Sequence, residues 1–105
     1  MFGDLFGNME ERQEAMRERL QQIILEAEAG DGAVKVTATA NREITNVSID
    51  KEKIDLADIE QVEDLVMVAV NRVLELSKEK EAEEAQKMLK DMLPPGMGGL
   101  SNLFG

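Results

Sequence analysis

Arg12 and Arg19 stand seven positions apart, a spacing that brings two guanidinium groups within about 20° of one another on a helix. Lys78, Lys80, Lys87 and Lys90 form a second group of cations further along. Such side chains hold anionic oxygens by charge-assisted hydrogen bonds, and the guanidinium fork can do so bidentately. Each has a competing use as a solvated charge beside a carboxylate: Glu83 with Lys87, and Lys87 with Asp91, are spaced for helical pairing. Other chemistry is scarce. Histidine and cysteine are absent, which removes the commonest general base, the thiolate nucleophile and the usual zinc ligands. Glu63 and Asp64 are adjacent, so on a helix they do not face one another for acid–base work. There is no P-loop, dinucleotide glycine fingerprint or nucleophile elbow. The stretch KEKEAEEAQK (78–87) lacks the Asp/Asn-rich loop and central glycine of a calcium site. The expectation is a binding protein and not an enzyme, with no cofactor, no metal and no small-molecule substrate.

The elements that must position these cations follow from periodicity. Leu5, Met9, Met16, Leu20 and Ile23 recur at spacings of four, seven, four and three, which predicts an amphipathic helix over 8–22. At Ile23 the period falls to two. Ile23, Leu25, Ala27 and Ala29 alternate with Ile24, Glu26 and Glu28, predicting a strand over 23–29. Gly30, Asp31 and Gly32 signal a tight connection. AVKVTATA then gives a strand over 33–40, with Val34, Val36, Ala38 and Ala40 on one face. Asn41 and Arg42 turn the chain into a third strand over 43–50, with Val47 and Ile49 inward. Ile44 is out of phase with those two, which calls for a bulge or a late strand start. Asp58, three residues before Gln61, has the form of a capping box opening a helix over 58–93 that Pro94 and Pro95 stop. Unbroken, that helix would be roughly 54 Å long, so it must break or project beyond a compact domain. Residues 78–87 contain no large apolar side chain and mark the part that leaves the core. The tail, 94–105, is glycine-rich and expected to be flexible, with Met97, Leu100, Leu103 and Phe104 available to dock on a partner. The fold class is α+β: two layers, with helices against one face of a three-stranded antiparallel sheet.

One segment asks for more than this sheet can supply. In EDLVMVAVNR (63–72), Leu65, Val66, Met67, Val68, Ala69 and Val70 run without a break and cover every angle around a helix. A helix covering one surface needs an apolar residue only every three or four positions. The second surface is expected to be another copy of the chain, with Leu65, Val66, Val68, Ala69, Val70, Asn71 and Val73 at the homodimer interface. Asn71 is either hydrogen-bonded in that seam or simply exposed.

The order of these strings resembles the YbaB/EbfC family of bacterial nucleoid-associated proteins. MFGDLFGNM is similar to that family's Met-Phe-Gly opening, and the glycine turn, AVKVTATA and VSID are similar to its centre. Glu63, Asp64, Leu65, Val66, Ala69 and Asn71 match its EDLV…A…N segment, and Leu93 to Gly96 match its LPPG. The resemblance covers nearly the whole chain and implies a tweezer-shaped homodimer that binds duplex DNA, with its protruding helices as the contacting parts. Arg12, Arg19, Lys78, Lys80, Lys87 and Lys90 are then the candidate phosphate contacts.

The charge runs against that implication. Twelve Lys and Arg face 22 Asp and Glu, a net charge of −10 that repels polyanions at long range. Residues 9–22 carry three Arg against four Glu, and residues 58–93 five basic against ten acidic side chains. Binding to DNA is therefore expected to be weak. A second reading is an acidic dimeric protein-interaction module with the apolar tail as bait. No run approaches the ~20 apolar residues that span a bilayer, and no leader pattern is present. The expected location is the cytoplasm, at the nucleoid, with no membrane partner.

Overall fold

A computed structural model describes residues 2–92. It contains α1 (Phe2–Gln21), β1 (Ile24–Ala29), β2 (Val34–Thr39), β3 (Ile44–Ile49) and α2 (Ile59–Met92). The strands form one antiparallel sheet in the order β1-β2-β3. The α+β class and the order of elements match the sequence reading; the proposed tail at 94–105 lies outside the described residues.

The boundaries differ in instructive ways. α1 begins at Phe2 instead of residue 8. Gly3 and Gly7 each cost a helix about 1 kcal/mol relative to alanine, yet Phe2, Leu5, Phe6 and Met9 continue its three-and-four spacing through them. β1 begins one residue late because the Ile23 N–H donates to the Leu20 carbonyl and closes the helix end. α2 begins at Ile59 because Asp58 is its cap: the carboxylate accepts the Gln61 N–H at 3.2 Å. The reciprocal half of a capping box is absent, since the Asp58 N–H donates to the Asp55 carbonyl.

The β1–β2 connection needs three successive residues at positive φ: Gly30 at 65°, Asp31 at 54° and Gly32 at 87°. Gly30 has a second constraint, because a Cβ there would sit 3.0 Å from Leu65 Cδ1. The glycine lets the hairpin tip approach α2. The β2–β3 turn ends on Arg42 at φ 65°, the left-handed residue that closes a three-residue hairpin loop. Beyond it the ladder shifts between Thr37 and Ala38, so that Ile44 pairs with Ala38, Val47 with Val36 and Ile49 with Val34. This irregularity corrects the phase of Ile44 and places all three apolar residues of β3 on the core side.

That core side is only partly covered. α2 packs over β1 and β2, where Val34, Val36, Ala38, Ala69 and Val73 are fully buried. Every residue of β3 is exposed, including Ile44 at 38%, Val47 at 44% and Ile49 at 36%. The inward assignment of Val47 and Ile49 holds for the face and fails for the burial. α2 lies over β1 and β2 and not over the middle of the sheet, which leaves β3 without a cover.

α2 keeps going after the sheet ends. Its 34 residues give a rod of roughly 51 Å, and the molecule measures 62 × 31 × 18 Å with a radius of gyration of 19.2 Å. A compact chain of this length would have about 13 Å. The outer half of α2 is therefore an arm with few buried contacts, and amide exchange should report it. Exchange in residues 78–86 should be much faster than in residues 66–73; equal protection in the two segments would contradict this division.

Candidate nucleic-acid interface

The arm has a second member. The last carbonyls of α1 have no partners within the helix, and the sheet supplies them. The Ala40 N–H donates to Leu20, and the Asn41 side-chain amide donates to the Arg17 carbonyl at 2.7 Å. Asn41 also donates to Gln21 Oε1, and the Gln21 amide donates to Glu43. On the α2 side, the buried Ser77 hydroxyl donates to the Thr39 carbonyl at 2.9 Å and lies 3.0 Å from that of Val73. Both helices are thus fixed to the same end of β2, and α1 runs back along the outer half of α2.

Glu84 ties the two together. It is 4% exposed, within a stretch otherwise largely open to solvent. Its Oε2 lies 3.0 Å from Arg19 Nε and its Oε1 3.4 Å from Lys87 Nζ. The Arg19 contact is an ion pair by distance; no donor is aligned on Oε2 as a hydrogen bond. Between the helices runs an apolar groove of about 490 Å³, with Met9, Met16, Leu20, Ala85 and Met88 in its lining and Arg12 and Arg17 among its polar side chains.

The candidate cations are not equivalent. Arg12 is exposed along the groove. Arg19 is engaged with Glu84. Lys80 and Lys87 both approach Glu83, at 3.5 and 3.6 Å. Lys78 and Lys90 are exposed, with no carboxylate partner among the described residues. Lys78 lies in a concavity with Arg42, Asn71, Leu74 and Glu75. Arg42, itself paired with Glu81 at 2.9 Å, and Arg17 were not singled out from the sequence. Their recruitment depends on tertiary neighbours, and no local spacing signals it.

The residues assigned to self-association also divide. Ala69 and Val73 are fully buried inside the protomer and have no surface to offer a second copy. Leu65, Val66, Val68 and Val70 are half-buried against that same core, and Asn71 is exposed. An uncovered apolar strip on the core side lies on β3, at Ile44, Val47 and Ile49. Those residues were read as ordinary strand positions because the sequence does not show which strands a helix will cover.

A small antiparallel sheet half-covered by a helix, with an arm of paired helices beyond it, is a two-layer α+β fold built to project. Residues 2–92 match the YbaB/EbfC DNA-binding family, and the chain belongs to it. Among its relatives, a nucleoid-associated protein of Moorella thermoacetica is 38% identical over 77% of this chain and 78% of its own length. Another, from Thermodesulfovibrio yellowstonii, is 36% identical over 100% of this chain and 95% of its own. The crystal structure of an uncharacterized protein from Helicobacter pylori superposes with a TM-score of 0.72 at 25% identity, covering 84% of this chain and 92% of that one.

The Arg19–Glu84 pair gives a measurable expectation. Arg19→Ala leaves a buried carboxylate with only Lys87 nearby and should destabilise the fold by about 1–3 kcal/mol. Glu84→Gln removes the charge that needs a partner and should cost less. Urea unfolding of both variants checks the order; a larger destabilisation in Glu84→Gln would mean that Arg19 is the dependent partner.

Proposed function

We propose that this protein acts as a homodimer that binds duplex DNA through its helical arms, at the nucleoid within the cytoplasm. The observation that carries the proposal is membership of a DNA-binding family over residues 2–92, supported by relatives named nucleoid-associated proteins. No helix among the described residues is long and apolar enough to cross a membrane.

The geometry supports dimerisation through the open part of the core face. Three apolar residues in register on one strand, each more than a third exposed, lose about 25 cal/mol for every Å² left in water. Val66, Val70 and Leu74 on α2 are only half-buried and Asn71 is exposed, and the proposed surface for a second copy joins them to that strip. Leu65 and Val68 share the helix face of Arg72, which donates to the Glu28 carbonyl on β1, so they lie on the side away from β3, whereas Ala69 and Val73 support the core from within. A direct test uses Val47→Asp. The site is exposed in the protomer, so an isolated chain would tolerate the charge, whereas a dimer seam would bury it unpaired at a cost of several kcal/mol. Sedimentation should show a folded monomer for the variant and a dimer for the parent. A folded monomeric parent at micromolar concentration would end the dimer reading.

The contact with DNA is local electrostatics working against an unfavourable total. At physiological salt, charges further apart than ~8 Å are largely screened, so a cation close to a phosphate outweighs carboxylates elsewhere on the chain. Arg12 is one candidate, being exposed on the arm. Arg19, Lys80 and Lys87, each paired with a carboxylate, and Lys78 and Lys90 on α2 are the others. Gel shifts with duplex DNA across a salt series should show weak binding that falls steeply as salt rises. Arg12→Ala should make the slope shallower by about 0.9 for each phosphate that the arginine no longer neutralises. The net charge of −10 favours one competing reading, an acidic protein-interaction module; it wins if duplex DNA is not shifted even at low salt.

A further inference from the structure

We propose that the C-terminal segment of the chain, residues 93–105, seats its apolar side chains in the groove between α1 and the outer half of α2 of the same molecule. The groove is the first half of the argument. Leu20, 4% exposed, lies at its base, Met16 and Met88 are half-buried, and Met9 is 51% exposed. Its volume of about 490 Å³ falls within the ~300–1,000 Å³ of sites that enclose organic ligands. Methionine-rich surfaces of this kind adapt to varied apolar guests. Phosphates would be drawn to the arginines of such a groove and have no use for its floor.

The segment is the second half. LPPGMGGLSNLFG carries Met97, Leu100, Leu103 and Phe104 and not one Asp, Glu, Lys or Arg, in a chain that is 32% charged. Burying it would strand no side-chain charge. It also starts in the right place. α2 is described to Met92, and Met88 of the groove lies one turn earlier. Proline disfavours continuation of a helix and glycine tolerates the positive φ of a chain reversal, so the string PPGMGG that follows Leu93 is a sequence suited to turning back. The nine residues from Gly96 to Phe104 reach about 30 Å when extended, whereas the groove runs along α2 from Met88 to Glu81, a distance of roughly 10 Å. A tether this short raises the effective concentration at the groove to the millimolar range, so a modest apolar contact suffices.

Methionine methyl signals of the full-length chain test this without disturbing the fold. A nitroxide attached through Ser101→Cys, the only cysteine in the variant, should broaden the methyl resonances of Met9, Met16 and Met88 and spare Met67, which lies on the sheet-bound half of α2. Adding Leu103→Asp and Phe104→Asp should restore the three signals. Unchanged Met9, Met16 and Met88 signals, or equal broadening of Met67, would overturn the proposal. A mixed sample of spin-labelled unenriched chains and isotope-enriched unlabelled chains separates the two possible sources of the segment. No broadening there supports seating within one molecule; broadening in the mixture assigns the groove to a partner's tail and overturns the proposal.

Discussion

Everything distinctive about this molecule depends on where the inner half of α2 rests. Ala69 and Val73 lie directly on Val34, Val36 and Ala38, all five fully buried. Two small or β-branched side chains one turn apart let the helix approach closely over β1 and β2. That contact decides what is left uncovered. The helix lies over two of the three strands, so β3 keeps its apolar side in water. The same contact ends where β2 ends, so the rest of the helix has no sheet beneath it.

Polar bonds then convert a loose helix end into a defined arm. Ser77 fastens α2 to the Thr39 carbonyl, while Ala40 and Asn41 take up the free carbonyls of α1 two residues away. Both helices leave the sheet from one point. Farther out, Glu84 draws in Arg19 and Lys87. A charge-mediated contact at the arm and an apolar contact at the base distribute stability unevenly, with the base holding while the arm can adjust. In a member of a DNA-binding family, this partition leaves the sheet base rigid and the arm adaptable.

Charge sets the other limit on function. With ten more acidic than basic side chains, the protein cannot attract DNA by its total field. Cations on the arm must act at short range, and several are already bound to carboxylates on their own helices or across the arm. Each phosphate contact made by one of these would replace an internal pair, which keeps binding reversible and strongly dependent on salt.

The sequence by itself determined the secondary structure, the cap at Asp58, the glycine turn, the irregularity at Ile44 and the presence of a projecting helix. These are consequences of local spacing: periods of two and three-to-four, residues that tolerate positive φ, and a rod too long for a compact domain. Its six consecutive apolar residues, Leu65 to Val70, led to the expectation of a second apolar neighbour for that turn and a half of helix. Only the tertiary structure decided which of those residues the protomer itself buries. Ala69 and Val73 went to the protomer's own sheet, and the open surface moved to Ile44, Val47 and Ile49. Likewise no spacing within α1 could reveal that Arg19 meets Glu84, 65 positions away. Periodicity reports which face of an element is apolar; the partner of that face depends on the width and placement of elements far apart in the chain.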